Sequence, residues 1–176
     1  MKSVFTLVLS FLVLFATEGI AQKMPGLDKS PADFAYFRTD DGVMARVIYS
    51  RPQKNGREIF GSLIPYGKLW RLGANEATIL KLYKDATVGG QEVAAGEYAI
   101  FATPGETEWE FTLNSQADQW GAYRMDASKN VTSFKVPAGS TDSAVEAFTI
   151  MFKEVDGGAH MVTAWDNTMV EVPVKF

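Results

Sequence analysis

The chain has 176 residues, a formal net charge of −4 and no cysteine. The lack of cysteine excludes disulfides, thiolate zinc sites, catalytic thiols and lipid attachment to a cysteine. The charge balance, 17 basic against 21 acidic residues, gives no support to nucleic-acid binding. The length is typical of one domain with one buried core.

The N-terminal stretch predicts a secretory signal peptide. An early lysine precedes an apolar run from Val4 to Ala16, and small residues stand where a signal peptidase needs them. The run falls short of the roughly 20 apolar residues that span a bilayer, which favours cleavage over an uncleaved anchor. We therefore expect residues 1–21 to be a signal peptide, residues 22–30 a flexible leader and residues 31–176 a single domain, in the periplasm or outside the cell.

From Phe34 onward, apolar and polar residues alternate, and the turns carry glycine, proline or Asp-Gly. This pattern is typical of short antiparallel strands. In 108–114, for example, Trp109, Phe111 and Leu113 occupy one face, as a half-buried strand requires. About ten such segments without helical spacers predict an all-β fold, an antiparallel β-sandwich of jelly-roll-like type. The segments are 34–39, 43–50, 77–83, 87–88, 91–93, 97–103, 108–114, 131–137, 144–155, 160–167 and 169–176.

Two segments lack this alternation. The first, Arg51–Glu76 (the excursion), is far longer than the four to six residues or so of an ordinary connection. Its apolar side chains argue against disorder, so we predict that it packs on the domain. The second, Ser115–Asn130 (the tryptophan loop), carries Trp120 and Tyr123.

Positive charge is concentrated around the excursion. Residues 46–71 hold six basic residues and one acid, a net +5, so the rest of the chain sums to −9. Guanidinium groups suit carboxylate, sulfate or phosphate, and exposed aromatic rings suit the face of a sugar. We therefore predict a site for a small anionic or sugar-like ligand. Its candidate residues are Arg51, Arg57, Trp70, Arg71, Asn75, Glu76, Trp120 and Tyr123.

A structural interpretation of the same residues is equally open. The arginines can pair with internal acids such as Glu76, Asp85 or Asp118, because ion-pair networks and functional sites both gather charge. For Trp70, Trp109 and Trp165 a core role is favoured over sugar stacking. Trp120, which lies between a glutamine and a glycine, is the better stacking candidate.

The excursion also resembles a known family. The residues that carry the resemblance are Tyr49-Ser50-Arg51-Pro52, Gly56-Arg57, Ile59-Phe60-Gly61, Pro65-Tyr66-Gly67, Trp70-Arg71 and Gly73 to Thr78, followed by Ala95 to Tyr98, Pro104-Gly105, Trp109 and Trp120 to Tyr123. In this order they are similar to the secreted bacterial domain of unknown function 2911. Leu72 departs from the small polar residue often found there. The resemblance implies a secreted single domain and no established activity.

Catalytic and metal signals are few. His160 is the only histidine and there is no Gly-x-Ser-x-Gly elbow, so a serine triad is not supported. Zinc is not expected with one histidine and no cysteine. Calcium would need oxygen ligands near Asp40-Asp41 or Asp126, where no recognised loop spacing occurs. We predict no metal and no cofactor.

Glu76 is the one acid that qualifies as a catalytic candidate, because it follows the arginine-rich segment. Glycoside hydrolysis needs a second carboxylate, which the sequence does not identify. A binding module is therefore favoured over an enzyme. The alternatives are a glycan-active or esterase-like hydrolase that uses Glu76, and an envelope or matrix interaction protein. Neither a nucleic-acid partner nor a membrane span after cleavage is expected.

Overall fold

The computed structural model describes residues 23–176, so the predicted signal peptide lies outside the described residues. Most of this range is antiparallel β-sheet, which confirms the predicted all-β class. The strands are β1 (Ala32–Thr39), β2 (Gly42–Ser50), β3 (Ile79–Leu82), β4 (Ala86–Val88), β5 (Gln91–Val93), β6 (Gly96–Pro104), β7 (Glu108–Asn114), β8 (Asn130–Val155) and β9 (Gly158–Lys175). A single 3-10 turn, Ala127–Lys129, precedes β8.

The described residues form nine strands, where the sequence predicts about ten. Segments 131–137 and 144–155 are both parts of β8, and segments 160–167 and 169–176 both belong to β9. The polar residues between the two segments of each pair predict turns. In the structure these breaks are irregularities of pairing: the β8–β9 register shifts after Ser140 and again after Val145. Asp166, with a φ of 53°, marks the irregularity in β9.

The strands follow the order β1-β2-β3-β6-β7-β8-β9-β4-β5. The sheet curls, so that its first strands pack against the second half of β8 across an apolar core. Phe37 of β1 lies 6.2 Å from Phe152 of β8, and Tyr49 of β2 lies 5.8 Å from Phe148, measured between ring centroids. The largest fully buried side chains of the molecule include Trp109, Trp165, Phe101, Phe111 and Phe148.

Side chains at the end of β2 close the curled sheet. Arg51 donates from Nε to the Phe148 carbonyl at 3.1 Å and from NH2 to the Thr149 hydroxyl at 2.9 Å. Its NH1 forms an ion pair with Asp33 of β1 at 3.0 Å. The hydroxyl of Tyr49 donates to a β8 carbonyl beside them, and burial raises the pKa of Tyr49. These groups join three strands at one point.

Candidate functional site

The excursion is ordered and packed, as its apolar content predicts. Ile59 and Leu72 are completely buried. The Trp70 ring lies 6.0 Å from the rings of both Trp109 and Trp165, and its Nε1 donates to the Gly73 carbonyl at 2.9 Å. The side chain of Trp70 is therefore part of the core, the role that the sequence favours for this residue.

The backbone of the excursion extends the sheet. Trp70 and Ala102 of β6 exchange two hydrogen bonds, of 2.7 and 2.9 Å, beyond the point where the β3–β6 pairing ends. Residues on either side of Trp70 are thereby fixed along β6. Leu69 and Arg71 consequently face away from the core side that Trp70 fills, because side chains alternate along extended backbone.

The outer face of β6 is covered by both aperiodic segments. Ala99 and Phe101 point away from the main core, yet both are fully buried. They are covered by Leu69 of the excursion and by Ala122 and Met125 of the tryptophan loop. The two segments that break the strand pattern therefore meet on the outside of the sheet.

Backbone pairing holds the two segments together. Ala77 donates its N–H to the Gln119 carbonyl at 3.0 Å, and Glu76 and Trp120 form an antiparallel bridge. These bonds place the end of the excursion directly beside the start of the tryptophan loop. The predicted site residues Glu76 and Trp120 are thus neighbours, although 44 positions separate them in the sequence.

An open hollow of about 340 Å³ lies where the two segments meet. Its lining residues are Leu69, Trp70, Arg71, Ala122 and Tyr123. Three of them belong to the predicted site. Tyr123 is 70% exposed, and Trp120, three residues before it, is 53% exposed. The hollow therefore combines a guanidinium group with accessible aromatic surface.

The Arg71 guanidinium is only partly used by the protein. Among the described residues it makes one hydrogen bond, from NH1 to the Asn75 carbonyl at 2.8 Å, and no ion pair within 4 Å. A guanidinium carries five N–H groups in a planar fork, so donors are left for an anion. Arg71 is thus the cation of the hollow.

Asn75 fixes the backbone beside Arg71. It adopts a left-handed conformation with φ 56°, which asparagine tolerates better than most residues. Its side-chain amide donates to the Asp28 carboxylate at 3.2 Å, so it joins the hollow to the segment before β1. The pKa of Asp28 is lowered, first by the backbone N–H of Ser30 and then by this amide. The carbonyl of Asn75 accepts the hydrogen bond from Arg71, so Asn75 contributes to the hollow by positioning the guanidinium group.

The other two predicted arginines do not line the hollow. Arg51 is occupied at the closure of the sheet described above. Arg57 donates from Nε to the Lys54 carbonyl at 2.9 Å and from NH2 to the Gln53 carbonyl. Internal pairing does account for much of the positive charge, but through acids other than Glu76, Asp85 and Asp118. The actual partners are Asp33 of β1 for Arg51 and Asp166 of β9 for Lys54.

Glu76 is exposed and does not line the hollow. It forms no ion pair with any cation in residues 23–176. In the same range, no group of three or more histidine, aspartate or glutamate side chains is arranged to hold a metal ion. His160 instead pairs with Glu171, Nδ1 to Oε2 at 2.6 Å, and this hydrogen bond lowers the pKa of Glu171.

Two larger hollows lie elsewhere. One, of about 630 Å³, is lined by Phe37, Met44 and Phe176 together with carboxylates, and the other, of about 550 Å³, adjoins β4 and β5. Neither contains a residue of the predicted site. The hollow at Arg71 is the better candidate because its lining includes three residues of the predicted site, among them a cation with spare donors and an exposed tyrosine. Leu69 and Ala122, which the sequence did not mark, form its apolar lining.

Comparison with known proteins adds one finding. The family described as protein of unknown function (DUF2911) matches residues 30–174. No curated protein and no solved structure is significantly similar to the chain. Among residues 23–176, no helix is long and apolar enough to cross a membrane. The match begins before β1 and ends within β9, so it includes every strand of the domain. The chain therefore belongs to the DUF2911 family.

Proposed function

We propose that this protein is an exported binding module whose hollow at Arg71 holds a small ligand with a carboxylate and a sugar-like ring. The proposal of export rests on the N-terminal sequence pattern. The observation that carries the proposal of binding is the pairing, in one open hollow, of a guanidinium with unused donors and a largely exposed tyrosine.

The chemistry of the lining supports this ligand class. A guanidinium binds a carboxylate through two parallel charge-assisted hydrogen bonds, which are stronger than hydrogen bonds between neutral groups. Tyr123 and Trp120 offer aromatic faces on which the C–H face of a sugar ring packs. Leu69 and Ala122 contribute apolar contact in the lining of the hollow. An anionic sugar uses all of these groups at once.

Calorimetric titration with a panel of uronic acids, neutral sugars and simple carboxylates tests the proposal. We expect a uronic acid to bind, and Arg71→Ala to weaken it by about 1.5 to 3 kcal/mol, the value of a hydrogen bond to a charged group. Tyr123→Ala should weaken it as well. The neutral sugar of the same ring geometry should bind less tightly, because it leaves the guanidinium unpaired.

Arg57→Ala is the matched control, because it removes a guanidinium from the same excursion that is already bonded to backbone carbonyls. We expect this variant to bind like the parent. If the panel contains no ligand, or if Arg71→Ala and Arg57→Ala have equal effects on affinity, the proposal is wrong.

A further inference from the structure

An unbroken apolar row crosses the outer face of four strands. Phe34 of β1 lies opposite Ile48 of β2, Ile48 lies opposite Ile79 of β3, and Ile79 lies opposite Ala99 of β6. Phe34 is 51% exposed, and the two isoleucines are half-buried. The core residues of these strands point to the opposite side. We call these four residues the apolar row.

The apolar row leads toward the hollow. Its last member, Ala99, belongs to the buried cluster against which Ala122 of the tryptophan loop packs. Ala122 also lines the hollow beside Arg71. Adjacent strands are about 4.8 Å apart, so the row extends roughly 14 Å from the hollow side to Phe34. This distance exceeds the size of a single sugar ring.

A second row, two residues further along each strand, carries the positive charge. In it Tyr36 lies opposite Arg46, and Arg46 lies opposite Lys81. Arg46 and Lys81 share one acid, Glu97, at 3.5 and 3.1 Å. Arg38 adds a third cation, its guanidinium carbon 4.1 Å from the centre of the Tyr36 ring. With three cations and one acid, this part of the face has a surplus of positive charge.

We infer that the ligand of this protein is a segment of an acidic oligosaccharide, with one uronate unit in the hollow and further units along the apolar row. This inference rests on the proposed function and extends it from a small ligand to a chain. Phe34, Ile48 and Ile79, the members of the row that reach the surface, supply apolar and aromatic contact for successive sugar rings. The neighbouring cations supply partners for the carboxylates that such a chain repeats.

The charges of the face favour a glycan over the other polymers that an aromatic surface can hold. A neutral or basic peptide would leave the surplus positive charge of this face unbalanced. A nucleic acid carries a far denser negative charge and is disfavoured by the net charge of −4 of the whole chain. A polyuronate, with one carboxylate per ring, matches a face that alternates apolar and cationic rows.

Calorimetric titration of the parent with galacturonic acid and with its oligomers of increasing length tests the inference. We expect the longer oligomers to bind at least about tenfold more tightly than the monomer, a difference of about 1.4 kcal/mol. Phe34→Ala and Lys81→Ala should each remove most of this gain and leave the affinity for the monomer unchanged. Arg71→Ala should weaken monomer and oligomer together.

Lys135→Ala is the control for charge, because Lys135 is an exposed cation of the same sheet, on β8, which is separated from β6 by β7. It should keep the full gain with length. Tyr36→Ala provides a second test of the face should Phe34→Ala fail to fold, as judged by its thermal unfolding. If the monomer binds in an Arg71-dependent manner but the affinity does not rise with length, the inference is wrong and the proposed function stands.

Other outcomes separate the two proposals further. If neither monomer nor oligomer binds the parent, the proposed function itself fails. If the parent forms a dimer in sedimentation experiments and Phe34→Ala is a monomer, the apolar row is an interface between copies of the chain, which also overturns the inference.

Discussion

Lys54 and Asp166 form an ion pair, Nζ to Oδ2 at 2.7 Å, that ties the excursion to the irregularity of β9. Both side chains are largely shielded from water, and the second oxygen of Asp166, Oδ1, is buried without a partner in the described residues. The carboxylate therefore depends on the lysine to offset the cost of its burial.

We predict that Lys54→Met lowers the free energy of unfolding by about 2 kcal/mol, because it leaves a shielded carboxylate without its counter-ion. Urea denaturation measures this change. Lys135→Met is the comparison, since its ion pair with Glu108 is more than half exposed on the lysine side. Such a surface pair contributes little to stability, because water and salt screen it. Equal losses for the two variants would show that the Asp166 pair has no special role.

Truncation of Trp70 should lower stability, whereas truncation of Trp120 should lower ligand affinity. Trp70→Ala removes a ring packed among Trp109, Trp165 and Phe148, and we expect a loss of about 3 to 5 kcal/mol in the free energy of unfolding. Trp120→Ala removes a half-exposed ring and should change stability by no more than about 0.5 kcal/mol. The Trp120 variant should instead weaken uronate binding. A stable Trp70→Ala protein would contradict the assignment of that ring to the core.

Gly121 controls the shape of the hollow. Its φ is 70°, and a Cβ at this position would lie 2.8 Å from the ring of Tyr123 and 3.5 Å from Arg71 NH1. We predict that Gly121→Ala reduces uronate affinity by displacing the Tyr123 ring, beyond the strain of about 1 to 3 kcal/mol that the backbone itself imposes. Gly157→Ala, at φ 72° with open space around it, carries the same strain without the displacement. Its ligand affinity, measured by titration, should equal that of the parent.

The Glu171–His160 pair should give the protein a sensitivity to acid. The pKa of Glu171 is lowered in the folded protein, chiefly by its hydrogen bond to His160 and further by the Lys153 ammonium group. The stability that this pair contributes is fully present above pH 4.5, the ordinary pKa of a glutamate in the unfolded chain. It is lost as the pH falls through the lower pKa of Glu171 in the folded protein. Glu171→Gln should flatten this part of the pH profile of the melting temperature. A pH profile of Glu171→Gln as steep as that of the parent would contradict this role of the pair.

The local pattern of the sequence predicts individual strands well. The segment 108–114 forms β7 with the bounds that its alternation indicates, and Trp109, Phe111 and Leu113 are all buried. The long strands are predicted less well, because Asp166 and the polar residues of β8 resemble turns while tertiary pairing carries the backbone through them. The alternation of apolar and polar residues predicts which side chains face the core. Where a strand begins and ends depends on the partner strand elsewhere in the chain.

The site could be predicted only in part for the same reason. Arg71, Trp120 and Tyr123 lie in or next to the hollow because the two aperiodic segments meet, and both segments are visible as gaps in the pattern. Arg51 fits the same charge pattern, but its partners Asp33 and Phe148 lie on other strands. Nothing in the residues adjacent to an arginine specifies whether it will face a ligand or another strand.

The closure between the end of β2 and β8 also bears on how the chain reaches this structure. Arg51 is separated by 97 residues from Phe148, and Tyr49 by 101 residues from Ile150. Forming such contacts requires a large loss of loop entropy before they contribute stability, which makes folding slow for folds rich in distant pairings. We therefore expect β8 to complete the domain in a late step. Until the ribosome has released that strand, the aromatic interior of the earlier ones is open to chaperones and to aggregation.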